Sequence, residues 1–423
     1  MVKIALVADS LPGLHQRWSG AELVCLRLGE GLRENGHDVL FMTPPFDTEA
    51  DIRNAYPIAT PFLQRGLWSG IFPLDLVAVG QALALFRRER PNLVHLHSKR
   101  LFVSALLAGT ILGIPAILTV LDYNLVCLQN NLRTPRGQIC FGGDDASCAR
   151  CVGLARPTKS SAKTWARRML VMCRRRLYRR FSVQLLAAII TLSRTSKTRL
   201  ETHGVPGDKI SVIYHYSLPG RDQISYAPTI SSNSHTVLFV GSLYEHKGLH
   251  VVIDAMRQVV NQIPESRLLV IGTSEDHLYR HRLQDLISDL GLQQSVEFLG
   301  QRDNEEVMGF IDASDVVVVA EQWPSDFGPV ILVEALSCGK PVVAGRIGSA
   351  PEFIEDGRNG YLVDHDQPEQ FAERLTCLLQ RPGLAQAMGE AAMRSVDFLR
   401  QRDWLKQVGR LYESVVAKKN ERG

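Results

Sequence analysis

The residues from Trp323 to Val363 carry the densest set of groups able to do chemistry. Asp326 and Glu334 stand there with seven residues between them. Glu334 lies inside the apolar segment VILVEALSC, where an unpaired carboxylate would be costly to bury, so it calls for a hydroxyl or cationic partner. Pro329 follows Gly328 and opens that segment, which predicts a helix with Pro at its first position, where no intrahelical N–H is lost. Such a helix start aims free backbone N–H groups at the loop beside it, and phosphate is the usual occupant of such a place. Gly339 then stops the helix, PVVA forms a short buried strand, and Gly348, Gly357 and Gly360 punctuate tight loops. The stretch reads as a holder of an anionic nucleotide.

Glu334-Ala335, Gly339, Pro341-Val342-Val343-Ala344, Gly348, Glu352, Asp356-Gly357 and Gly360-Tyr361-Leu362-Val363 form one ordered string. It resembles the nucleotide-sugar site of the family-4 glycosyltransferases, retaining enzymes of the GT-B fold. The resemblance implies that Glu334 holds the ribose hydroxyls and that Asp326, a shorter acid in the first position, faces the donor sugar. Phe327 comes one residue after that acid where the family has two, so Ser325 is the alternative occupant. Phe327, Gly328, Pro329 and Val330 would line the donor. Further upstream, Gly241, Leu243, Lys247 and Gly248 resemble the family's Gly-Arg-Leu-x-x-x-Lys-Gly turn. Lys247 is thereby implied as the cation that neutralises the departing diphosphate, a point charge able to serve any of its oxygens. Ser242 replaces the expected Arg, a loss that Arg346 is positioned in sequence to make good. Lys247→Ala is expected to abolish turnover and leave folding intact. Gly300 and Gln301 follow the strand that usually seats the base, and Gly20 stands in a Ser-Gly-Ala-Glu turn where relatives bring backbone close to the diphosphate. Taken alone, Gly20 is as consistent with merely shaping a turn.

The acceptor side is sparser. NLVHLHS ends a strand with His95 and His97, and ligands of open α/β sheets bind at such carboxyl ends. Family members commonly show Thr-x-His-Asp-Tyr near the reacting sugar, whereas this chain reads Thr119-Val120-Leu121-Asp122-Tyr123. An isobutyl group cannot replace an imidazole, so His97 is the candidate substitute, with Asp122 and Tyr123 beside it. Cys127, Cys140, Cys148 and Cys151 follow, the last two spaced C-x-x-C, enough for a structural tetrahedral zinc site. Four free thiols in a mobile lid are the alternative. No cofactor is expected for the reaction itself.

Positioning these groups takes more than one core. A chain of 423 residues predicts two domains of roughly 200 residues each. Apolar strand-like runs alternate with amphipathic helices in both halves, which argues for parallel sheets covered on both faces. The expected fold is α/β, two Rossmann-like domains facing a cleft. The boundaries are 1–217 for an acceptor-side domain with a Cys-containing insertion at 124–182, 218–234 for a Ser-rich linker, 235–395 for the nucleotide-sugar domain, and 396–423 for a C-terminal helix packing back on the first domain.

Apolar residues at 45% and charges at 22% describe a soluble globular chain. The net charge of +4 is local: residues 163–180 hold eight cations and no acid, leaving −4 for the remainder. That basic stretch, interleaved with Trp165 and Met169, suits an anionic membrane surface. Nucleic acid is not an expected partner, because no recognised module accompanies the charge. The N-terminal apolar run is too short for a secretory signal, and Gly113-Ile114-Pro115 cuts the uncharged run 101–121 into a helix and a strand rather than a membrane span. Eight cysteines then suggest thiols in a reducing, cytoplasmic setting, with possible attachment to the inner membrane face.

The resulting expectation is transfer of a sugar from a UDP-, GDP- or ADP-sugar to a glycan or lipid-linked hydroxyl, with retention. Two rivals keep the fold: a nucleotide-sugar epimerase, and a non-catalytic partner protein, for which Leu121 and Ser242 argue. A tandem-Rossmann dehydrogenase is disfavoured because no GxGxxG follows either first strand.

Overall fold

A computed structural model describes residues 2–15, 20–47, 52–61, 75–127, 132, 134, 140, 142, 147–148, 151, 179–214, 224–228, 235–273, 276–323, 330–399 and 401–421. The chain divides into two compact units, Met1–Ile213 with Leu405–Gly423, and Tyr214–Trp404.

The first unit is a seven-stranded sheet in the order β3 (Ala55–Pro57), β2 (Asp38–Thr43), β1 (Lys3–Val7), β4 (Leu93–Leu96), β5 (Ala116–Thr119), β6 (Leu186–Thr191), β7 (Ile210–Val212). Every neighbouring pair is parallel. The strands are nearly continuous apolar runs because helices cover both faces, as the fully buried Ile4 to Val7 shows. The uncharged run 101–121 becomes the helix Phe102–Ile111, a left-handed turn at Gly113 (φ 66°) and then β5. Among the described residues no helix is long and apolar enough to cross a membrane.

The second unit is a six-stranded parallel sheet, β10 (Val296–Gly300), β9 (Ser266–Ile271), β8 (His235–Val240), β11 (Val316–Val319), β12 (Val342–Gly345), β13 (Gly360–Val363). Its helix Leu249–Gln262 buries Leu249, Val252, Ile253, Met256 and Val259, a 3.6-residue stripe. That stripe meets Phe371, Ala372, Leu375, Leu378 and Leu379 of the helix Pro368–Leu379 in one core with the strands. Part of the expected linker docks on this unit: the Tyr226 ring lies 6.0 Å from that of Phe310, and its carbonyl occupies the space a side chain at Gly309 would need.

In both sheets the order reverses beside the first strand, between β1 and β4 and between β8 and β11. The crevice outside the carboxyl ends at such a reversal is where open α/β sheets hold ligands.

Candidate active site

At the carboxyl end of the second sheet, glycines let three strand ends close on one another. Gly241, just past β8, donates its N–H to Ile271 O at 3.0 Å, and Gly272 donates to Gly300 O at 2.8 Å. Gly272 has φ 137°, and a Cβ on it would sit 2.0 Å from Gly241 O. No other residue fits there. Two of the expected donor residues, Gly241 and Gly300, are therefore joined through a third glycine. Ser242 is exposed and its carbonyl accepts the Tyr244 N–H in the turn that follows.

That turn, Glu245–Lys247, ends at Gly248 with φ 73°, and a Cβ there would lie 1.8 Å from Ala320 O at the end of β11. Gln322 donates its N–H to His246 O at 2.7 Å. The His246 ring sits between Tyr244, stacked at 5.8 Å, and Trp323, edge-on at 5.2 Å. The ends of β8 and β11 thus clamp one short turn, and its Lys247 Nζ lies 2.5 Å from Glu321 Oε1. Glu321 is 7% exposed, so the carboxylate is buried, and the Lys247 side chain is the more exposed partner of the pair. Sequence reasoning missed Glu321. An acid closing the apolar run VVVVA reads as an exposed strand end, and its partner is 74 residues away.

Glu334 lies on the helix Val330–Ser337 and is 5% exposed, as its place in an apolar segment required. Its charge is felt next door: burial, with the Glu334 and Asp312 carboxylates, pushes the Cys338 thiol up to about 12. Gly339 ends the helix with φ 68°. Val330 is the first described residue of this helix, and Ser325, Asp326, Phe327, Gly328 and Pro329 lie outside the described residues. The Arg346 guanidinium donates to Asp356 and to Leu362 O, both at 2.9 Å, and holds the Asp356-Gly357 turn together. Gln301 follows Gly300 on the exposed edge of the sheet.

The first sheet presents its own polar group at the same kind of place. Asp9, past β1, accepts from Ser98 Oγ and from the N–H groups of Lys99 and Arg100 at 2.9 Å each, fixing the loop after β4. Lys99 Nζ lies 2.5 Å from Asp122 Oδ2. Burial of its stem lowers the Lys99 pKa, but Asp122, Asp9 and Glu22 outweigh this and leave it raised. His97 lies against His95, ring centroids 4.2 Å apart. His95 is fully enclosed, with Nδ1 2.6 Å from Tyr412 Oη and Nε2 2.7 Å from Thr119 Oγ1. Burial, and then His97, hold its pKa well below the ordinary value, so it stays a neutral imidazole. Tyr123 follows Asp122 in the turn after β5. It is fully buried, and its carbonyl accepts the N–H groups of Val126 and Cys127.

Gly20 is the first residue of the helix Gly20–Glu34. Burial, with Cys127 and Cys140 nearby, raises the Cys151 pKa, and Cys140 and Cys148 are, like Cys127 and Cys151, partly buried. Among the described residues no group of three or more His, Cys, Asp or Glu is placed to hold a metal ion. Of the basic stretch only Arg179 and Arg180 are described, and Arg179 donates to His203 O at 3.0 Å.

The family models described as Glycosyltransferase Family 4 and as Glycosyl transferases group 1 match residues 18–215 and 221–395. The chain belongs to the family-4 glycosyltransferases. Curated members of similar sequence include a D-inositol 3-phosphate glycosyltransferase of Corynebacterium jeikeium, 38% identical over 36% of this chain and 37% of that protein. Its counterpart in Corynebacterium glutamicum is 30% identical over 51% and 54%. The putative colanic acid biosynthesis glycosyltransferase WcaL of Escherichia coli is 32% identical over 43% and 45%. The chain thus spans about half the length, or less, of the curated relatives it matches. Anabaena Alr3699/HepE in complex with UDP-glucose superposes over 98% of this chain and 100% of that one, with TM-score 0.70 and 20% identity. WaaG, a glycosyltransferase involved in lipopolysaccharide biosynthesis, gives 0.65 at 16% identity over 97% and 99%. This family-4 chain has the GT-B fold.

Proposed function

We propose that the chain transfers a sugar from a nucleoside-diphosphate donor to a hydroxyl acceptor, with retention of anomeric configuration. The observation that carries the reading is Lys247, whose ammonium is fixed at the β8–β11 reversal beside a strand edge built from Gly241, Gly272 and Gly300. A cation held in place before the reaction costs no reorganisation when charge develops on a departing diphosphate. The N–H groups at the start of the helix entering Val330 add to that support. Glu334 takes the ribose hydroxyls and Asp326 faces the donor sugar. Gly20 and Gly300 allow close approach of backbone to the donor, with Gln301 beside the base. Lys247 and the helix start supply the electrostatic support.

His97, Asp122 and Lys99, at the carboxyl end of the first sheet, form the acceptor side. Leu121 removes the family's usual imidazole there, and a phosphate oxygen of the leaving group can itself take the acceptor proton. HepE in complex with UDP-glucose supports a nucleotide-sugar donor, and the D-inositol 3-phosphate glycosyltransferase relatives support a hydroxyl acceptor. The cations of 163–180 provide attachment to an anionic membrane face.

The test is incubation with UDP-, GDP- and ADP-sugars and a set of hydroxyl acceptors, followed by product analysis and assignment of the anomeric configuration. A glycoside of retained configuration is expected. Isomerised donor without a glycoside would show an epimerase, and donor binding without any product would show a non-catalytic binder, the reading that Leu121 and Ser242 favour.

A further inference from the structure

We infer that Glu321 sets the affinity of this site for nucleoside diphosphate, by sharing the Lys247 ammonium with it. The inference rests on the donor reading above and adds a residue that neither the motif nor its spacing marks.

An ammonium has three N–H donors in a fixed tetrahedral spread. One is directed at Glu321 Oε1 at 2.5 Å. Glu321 is buried whereas the Lys247 side chain keeps 29% exposure, so Lys247 is the partner of the pair that a ligand can reach, with two donors beyond the one Glu321 takes. The carboxylate also has little room to retreat. Its neighbour Gln322 is tied by its side chain to Ala320 O and to His365 O, and by its N–H to His246 O. Gly248 presses its backbone against the carbonyl of Ala320, the residue before Glu321.

A diphosphate oxygen taking another of the tetrahedral donors at a charge-assisted contact of about 2.8 Å would come to within about 4.3 Å of the Glu321 carboxylate, which holds the ammonium at 2.5 Å. Two anions so placed at a partly dry site repel strongly. Lys247 and Glu321 together are neutral, so the pair orients the diphosphate without the full attraction of an unpaired cation. The consequence is a diphosphate product that leaves readily. Glu321 is a positioning residue, acting on the phosphate through Lys247.

Glu321→Gln keeps the shape and an acceptor oxygen for the ammonium but removes the charge. Calorimetric titration of the full chain with UDP, GDP and ADP, and with the matching nucleosides, reads the effect. The dissociation constant of the preferred nucleoside diphosphate should fall about tenfold or more, its release in stopped-flow should slow, and nucleoside binding should stay the same. A residue that only supports the fold would change nucleoside and diphosphate binding alike. Unchanged or weaker diphosphate binding overturns the inference. Should Glu321→Gln fail to fold, Glu321→Asp draws the charge back from the ammonium and should tighten diphosphate binding by a smaller factor; no tightening overturns the inference there as well. If the wild-type chain binds none of the three diphosphates, the donor reading itself has failed and this inference falls with it. Wild-type binding left unaltered by both variants removes this inference alone.

Discussion

Lys247 was legible in the sequence through resemblance, because Gly241, Leu243, Lys247 and Gly248 match the family's strand-end turn. Its partner was not. The pairing with Glu321 depends on β8 and β11 lying side by side, which no local pattern states. The same holds for Gly272, whose need for no side chain arises from Gly241 on a neighbouring strand. Burial of Glu334 was readable from its apolar surroundings, and the engagement of Arg346 with Asp356 was not. The ion pair also revises what Lys247→Ala should do. Removing the ammonium leaves a carboxylate that is 7% exposed without its counter-charge, and breaking buried pairs in this way is strongly destabilising. The expected cost is up to about 3 kcal/mol, the low end for buried pairs because Lys247 is partly exposed. Lys247→Met combined with Glu321→Gln should recover most of it. Urea denaturation of both variants checks this: equal stability of Lys247→Ala and wild type would show that the carboxylate is not held by Lys247.

Among the elements, the apolar runs gave β1, β2, β4 to β6 and β8 to β12, whereas Gly360–Val363, expected as part of a glycine-punctuated turn, is the strand β13. The three-residue edge strands β3 and β7 are too short for a period-two pattern to show, and they form only because a neighbouring strand offers its edge. The C-terminal helix Gln401–Asn420 was readable as amphipathic, whereas the place of its Tyr412 against β4 was not. There the hydroxyl meets His95, whose other nitrogen meets Thr119 on β5. This chain of three buried side chains fixes β4 next to His97. It also makes stability depend on pH. The folded His95 resists protonation, while the unfolded chain takes up a proton below about pH 6.5. The unfolded state therefore binds more protons there, and stability is lost as pH falls, by about 1.4 kcal/mol per unit from this group. Denaturation midpoints of wild type and His95→Gln, taken between about pH 7.5 and 5, should show a shallower decline in the variant. Parallel declines would place the proton uptake elsewhere.

At the scale of the molecule, each unit is a parallel sheet whose order reverses beside its first strand, with an ion pair at strand carboxyl ends, Lys99–Asp122 in the first and Lys247–Glu321 in the second. Length and alternation were enough to foresee two such units. The division of labour between them, donor on the second and acceptor on the first, is the central claim. It is tested most directly by titrating wild type and the folded double variant Lys247→Met/Glu321→Gln with the preferred nucleotide sugar, following thermal stability. At a hundred times the dissociation constant, the wild type should gain about 2.7 kcal/mol and the double variant little or nothing. An equal gain in both would contradict the account, because the diphosphate would then be held without Lys247.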